Sequence, residues 1–274
     1  MPGYSPRVEG MNEPAESFTP CDHLVQVYRD RHELADSVAL FLGSGLTAGE
    51  AAVAVASAAH WPDIAQRLEG RGWDAGVLER SGRLVRADAE STLEAICEDG
   101  TPSLRRFTPV VGGLLDRAAG EPARRVRVFG EMVDILCRRG QAAAADSLEG
   151  MWNRLAGGRR FTLLCGYRVE LFDVDAQVNL LPRIYHAHSR VLPPNDPARL
   201  ERALDDALVQ VLGDADARKV HGHVARQERD DRVPSAQLAL MWISAHMPVT
   251  AERILDAARA NYLNAAGATP LPSR

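Results

Sequence analysis

Gly43-Ser44-Gly45-Leu46-Thr47-Ala48-Gly49-Glu50 leads into Ala51-Ala52-Val53-Ala54-Val55-Ala56, and that apolar run decides the fold. Six consecutive small or β-branched apolar residues read as a strand buried on both faces, the mark of a parallel sheet. The next residues, Ser57-Ala58-Ala59-His60-Trp61-Pro62-Asp63, form a loop before a helical pattern from Ile64 to Leu68. This is a strand–loop–helix unit of the kind that binds nucleotides. Such a loop would be rich in glycine and would end in Lys and Ser/Thr, so that backbone N–H groups and a cation hold the phosphates. Here the loop holds Ala, His, Trp and Pro instead. The framework is present and the phosphate chemistry is missing.

Further strands are predicted at His23–Tyr28, Arg83–Ala87, Val126–Phe129 and Phe161–Cys165. Helical patterns fall between them. One is a stripe over Asp30–Leu42, which Gly43 and Gly45 are expected to close. Others are Pro62–Arg71, a helix opened by Ser91-Thr92-Leu93-Glu94, Thr108–Ala119, Met132–Arg139 and Ala142–Leu155. The alternation predicts an α/β fold with a parallel, doubly wound sheet, whose ligands sit beyond the C-terminal strand ends. After Asp173 the pattern becomes helical, with Arg199–Leu212, Ala217–Arg226, Gln237–Ala245 and Ala251–Ala260 around the Pro193–Pro197 linker. The expected division is a disordered tail over 1–20, an α/β domain over 21–172 and a helical region over 173–274. The last residues, from Gly267, read as frayed.

The chain has 274 residues, 46% hydrophobic and 25% charged, which suits a soluble globular protein with ample core. The 32 basic and 37 acidic residues are interleaved, so no basic face points to nucleic acid. No apolar run approaches the roughly 20 residues that span a bilayer. Cys21, Cys97, Cys137 and Cys165 are too widely spaced for a disulfide framework or zinc knuckles, and a cytoplasmic location is expected. Glu121–Arg125 reads as a solvated turn and Arg226–Arg232 as an exposed charge run.

Five segments resemble one family. They are His23-Leu24-Val25-Gln26-Val27-Tyr28, Gly45–Ala51, Arg125-Val126-Arg127-Val128-Phe129-Gly130-Glu131-Met132, Leu148-Glu149-Gly150-Met151-Trp152-Asn153, and Phe161-Thr162-Leu163-Leu164-Cys165-Gly166-Tyr167. In order, they resemble the MEDS domain, a sensory domain named for methanogens, methylotrophs and the repressor DcmR. The resemblance covers roughly residues 21–172. It implies a RecA/KaiC-like core that has lost its ATPase motifs and a role in sensing small molecules. The namesake regulator also carries a helix-turn-helix, for which no segment stands out here.

The candidate ligand-binding residues are His60, Trp61, Glu131, Cys165 and Tyr167. Glu131 follows a buried strand, where RecA-like ATPases carry an acid; its bland reading is a carboxylate at a helix N-terminus. Cys165 and Tyr167 end another strand. His60 and Trp61 occupy the loop, as a ligand cap or as surface packing. His23 reads as a structural residue. His186-Ala187-His188 and His221-Gly222-His223 are short His pairs without a nearby Cys or carboxylate, so no metal site is assigned from them. No catalytic constellation assembles, and no cofactor is identified.

The leading expectation is a non-enzymatic sensor of a small apolar or weakly polar ligand, acting through a homodimer or a signalling or transcription partner. The alternative is a ligand-responsive transcriptional regulator that contacts DNA through its helical C-terminal region. A residual nucleotide-binding enzyme is the third reading.

Overall fold

The computed structural model describes residues 22–120, 124–226 and 232–267. The expected tail over 1–20, Cys21, the turn residues 121–123, the charge run over 227–231 and the C-terminal end over 268–274 lie outside the described residues. In chain order the elements are β1 (His23–Tyr28), α1 (Arg31–Thr47), β2 (Ala51–Ala56), α2 (Trp61–Glu69), α3 (Ala75–Arg80), β3 (Leu84–Asp88) and α4 (Ala89–Ile96). A short hairpin, β4 (Cys97–Glu98) and β5 (Thr101–Pro102), precedes α5 (Leu104–Ala119). Then come β6 (Val126–Gly130), α6 (Met132–Arg138), α7 (Ala142–Ala156) and β7 (Phe161–Arg168). A π-helical turn at Ala176–Leu180 leads into α8 (Leu181–Ala187), followed by β8 (Arg190–Val191) and helices α9 (Pro197–Leu212), α10 (Asp214–Arg226), α11 (Ser235–His246) and α12 (Ala251–Gly267).

The sheet has the order β3-β2-β6-β7-β1-β8. The β2–β3, β2–β6, β6–β7 and β1–β7 pairs are all parallel, as the apolar runs require. Every residue of β1, β2 and β6 is buried. The chain divides into two compact units. One contains the sheet with the helices up to α7 and the short segment Ala187–Arg190; the other holds Val169–His186 and the chain from Val191. Within the second, α12 packs along α9, and Phe172 lies against Tyr262 at 5.7 Å between ring centroids. Among the described residues no helix is long and apolar enough to cross a membrane.

Two expectations are corrected here. Gly43 and Gly45 do not end α1, which continues to Thr47. Gly45 instead makes room for Arg127: a Cβ there would stand 2.5 Å from Arg127 Cγ. The Arg127 side chain rises from β6, is 1% exposed, bonds Glu50 at 2.6 Å and lies over the Phe41 ring at 5.1 Å. The second correction concerns β7, which runs to Arg168 rather than stopping at Cys165. Gly166, Tyr167 and Arg168 pair with Gln26, Val27 and Tyr28 of β1, so the polar end of the run still completes a ladder. Cys165 therefore lies within the strand, opposite Val25.

Candidate functional sites

Two polar clusters are buried in the sheet unit, one at the C-terminal edge of the sheet and one under its α7 face. Alternation along β7 turns Leu163, Cys165 and Tyr167 to one face and Gly166 to the other. A side chain at Gly166 would meet Leu34 of α1 and Tyr28, whereas one at Gly130, which pairs with Cys165, would meet Trp152 of α7. The α7 face thus holds Cys165 and Tyr167, and the α1 face holds Tyr28.

At the C-terminal edge, Glu131 follows β6 and is only 1% exposed. Its own N–H donates to the carbonyl of Val55. Its Oε2 accepts the Ser57 backbone N–H at 2.5 Å, and its Oε1 pairs with His60 Nδ1. The His60 ring stands edge-on to Tyr28 at 6.0 Å. The Tyr28 hydroxyl donates to Asp134 Oδ2 at 3.4 Å, which also accepts from Arg138 Nε at 2.9 Å. Asp134 Oδ1 accepts the Arg168 N–H at 2.9 Å. Burial lifts the Asp134 carboxyl above the usual carboxylate range despite the Arg168 N–H and Arg138, and burial with the Asp134 charge lifts the Tyr28 hydroxyl. Asp88, which caps α4 through the Ser91 N–H at 2.9 Å, is held below the usual range mainly by that bond. Trp61 is half-buried at the start of α2, and the Arg86 guanidinium sits 5.5 Å from its ring centre.

Under the α7 face lies the second cluster. Glu149 and Asn153 are one turn apart on α7, while His23 opens β1 and Cys165 and Tyr167 come from β7. His23 Nε2 is 3.2 Å from Glu149 Oε2 and 3.3 Å from Cys165 Sγ. His188 Nε2 is 3.5 Å from Glu149 Oε1, which also accepts the Tyr167 hydroxyl. The His23 and His188 rings are 4.1 Å apart. His188 is set in place by Ser189, whose N–H donates to the His23 carbonyl at 2.7 Å while its Oγ accepts the His23 N–H at 2.9 Å. Burial alone would raise the Glu149 pKa. The charges of His188 and His23, with hydrogen bonds from His23 and Tyr167, more than offset that and hold it at about 2. Burial, reinforced by the Glu149 charge, pushes the Cys165 thiol and the Tyr167 hydroxyl well up.

The five candidates therefore fall into separate places. His60 and Glu131 meet, Cys165 and Tyr167 join the cluster around Glu149, and Trp61 packs against Arg86. Read residue by residue, the sequence gives Glu149 and Asn153 no role of their own, leaves His23 structural and pairs His188 only with His186. The available signal was that three of the five quoted motifs supply this one cluster: His23, Glu149 with Asn153, and Cys165 with Tyr167. In the helical unit, a groove of about 650 Å³ is lined by Leu204, Asp205, His221, Val233 and Ala236 among others.

No curated protein matches the chain. The family model of the methanogen/methylotroph, DcmR sensory domain matches residues 22–182, more than half of the sequence and the whole span from β1 through β7. The chain belongs to the MEDS family of sensory domains.

Proposed function

We propose that this chain is a non-enzymatic sensor with a degenerate, ATPase-inactive RecA-like sheet, and that it reads a small, uncharged ligand at the edge formed by His60, Trp61 and Glu131. The observation that carries this is the bond from the Ser57 N–H to Glu131 Oε2. In a phosphate-binding loop such an N–H faces the ligand's oxygens. Here an internal carboxylate accepts it. The turn from β1 to α1 is filled the same way, since Asp30 Oδ1 takes the His32 and Glu33 N–H groups. Asp88 ends β3 and caps α4, and Asp134 of α6 accepts the Arg168 N–H at the end of β7. A polyphosphate would have to displace these carboxylates from the N–H groups they hold. A neutral molecule meets no such barrier, and Trp61, Tyr28 and the His60 ring offer it aromatic surface.

The test is a thermal-shift panel on the full chain. One arm contains short alcohols, aldehydes and halogenated hydrocarbons; the other contains Mg²⁺ with ATP or ADP. A neutral ligand at 100 times its Kd should stabilise by about 2.7 kcal/mol. That corresponds to roughly 5–10 °C for a domain of this size, and Trp61→Ala should abolish it. A shift with Mg²⁺–ATP, together with turnover lost in Glu131→Gln, would overturn the proposal. So would a panel of neutral ligands that gives no shift.

A further inference from the structure

We propose that His23, Glu149, Cys165 and His188 are the ligands of a buried divalent transition-metal site, with zinc the ion that best suits the donor set. This does not depend on the reading of the Glu131 edge, which shares none of these four residues.

Four observations converge on it. The first is proximity: one donor atom from each of the four residues lies within 4.8 Å of every other, and all four residues are buried. They come from β1, α7, β7 and the segment before β8, so only the tertiary fold assembles them. The second is spacing. Zinc bonds of about 2.0–2.1 Å to nitrogen and about 2.3 Å to sulfur give tetrahedral donor–donor edges of about 3.3–3.6 Å. Two observed separations lie close to those edges, 3.2 Å from His23 Nε2 to Glu149 Oε2 and 3.3 Å from His23 Nε2 to Cys165 Sγ, while His188 Nε2 stands 3.5 Å from the other Glu149 oxygen, Oε1. Only small side-chain movements would close the rest.

The third is orientation. Asn153 Nδ2 donates to the Ala187 carbonyl, which turns Oδ1 towards His23 Nδ1 at 2.9 Å. That bond places the ring proton on Nδ1 and leaves Nε2 to point into the cluster. Tyr167 holds Glu149 by its Oε1, and Ser189 fixes the backbone beside His188. Metal-binding imidazoles and carboxylates are oriented by outer partners of this kind. The fourth is charge and softness. A thiolate and a carboxylate together neutralise a divalent cation, so the filled site carries no net charge into the interior. Two imidazoles, one thiolate and one carboxylate suit zinc, cobalt or iron(II) rather than magnesium or calcium. On binding, the Cys165 thiol gives up its proton to solvent, and so does any imidazolium of His23 or His188 at the nitrogen that takes the metal.

The experiment uses the purified full chain, stripped with chelator and then titrated with Zn²⁺ or Co²⁺. We expect one metal per chain by elemental analysis and a rise in Tm with zinc that chelator reverses. With cobalt, a thiolate-to-metal charge-transfer band should appear beside the intense visible bands of tetrahedral geometry. Cys165→Ser should lose the charge-transfer band, and His188→Gln should lose stoichiometric binding. Asn153→Ala should weaken affinity by roughly 10–100-fold. His186→Gln changes an exposed residue outside the cluster and should bind as the unaltered chain does. If a variant fails to fold, the wild-type cobalt spectrum decides alone. A folded wild-type chain that takes up no stoichiometric metal and gives no cobalt–thiolate band would overturn the proposal and leave the cluster a closed hydrogen-bond network.

Discussion

Replacing Gly45 with alanine tests the packing that links α1 to the sheet. The new Cβ would stand 2.5 Å from Arg127 Cγ and 2.9 Å from Cδ and Nε. Those distances are inside any real contact, so Arg127 must move. It has little freedom to do so: it is 1% exposed, bonded to Glu50 at 2.6 Å and Ser44 Oγ at 3.2 Å, and stacked on Phe41. A shift within the site is an overpacking cost of about 1–3 kcal/mol. Losing the Glu50 pair altogether would cost up to about 3–5 kcal/mol, because it takes the ion partner from a buried guanidinium that keeps neutral acceptors. The helix itself gains about 1 kcal/mol when glycine becomes alanine. The expected net is about 0–2 kcal/mol of destabilisation if Arg127 shifts within the site and about 2–4 kcal/mol if it loses Glu50. Gly150, exposed on α7 with nothing within 4 Å of an added Cβ, is the control. There alanine should stabilise by about 0.5–1 kcal/mol. Urea denaturation followed by circular dichroism reads both through the midpoint at constant m-value. If Gly45→Ala stabilised the chain as Gly150→Ala does, the glycine would be a tolerated helix residue and the Arg127 argument would fail.

Acid should weaken the fold through Glu149. Its folded pKa of about 2 lies below the ordinary 4.5, so the unfolded chain binds more protons between those values. The contribution is complete above about pH 4.5 and lost as pH falls towards 2, and Glu149→Gln should flatten stability over that window in an acid titration of the metal-free chain. Cys165 should resist alkylation, since it is buried with its thiol pushed well up, while the half-buried Cys97 and Cys137 react first. Peptide mapping after a timed iodoacetamide pulse checks the order, and early labelling of Cys165 in the native chain would contradict it.

The sheet was legible because its central strands carry the pattern that parallel pairing demands. Ala51–Ala56 is apolar on both faces, short and bounded by Gly49 and Pro62, which favours a covered strand over a buried helix. The end of β7 was not legible, because Gly166-Tyr167-Arg168 loses that pattern while its backbone still pairs with β1. The role of Gly45 was hidden for a different reason. A glycine near the end of a helical stripe reads equally as a stop or as space for a neighbour, and the neighbour, Arg127, is on β6.

The buried cluster shows the same limit at a site. His23, Glu149, Cys165 and His188 each have an adequate local explanation: a strand-opening histidine, a helix-face carboxylate, a small core thiol and half of a short histidine pair. Nothing in their spacing, from residue 23 to residue 188, has the regularity of a metal motif. What joins them is the parallel register, which sets Val25 opposite Cys165 and so brings His23 beside it on the α7 face. Glu131 lies one residue beyond Gly130, the partner of Cys165 in that register, yet its carboxylate serves the loop after β2. One residue of strand alternation is therefore enough to divide a single expected pocket into two sites of different chemistry. A ligand at the Glu131 edge and a metal under α7 would then report separately, and the variants Trp61→Ala and Cys165→Ser should each silence one signal while leaving the other intact.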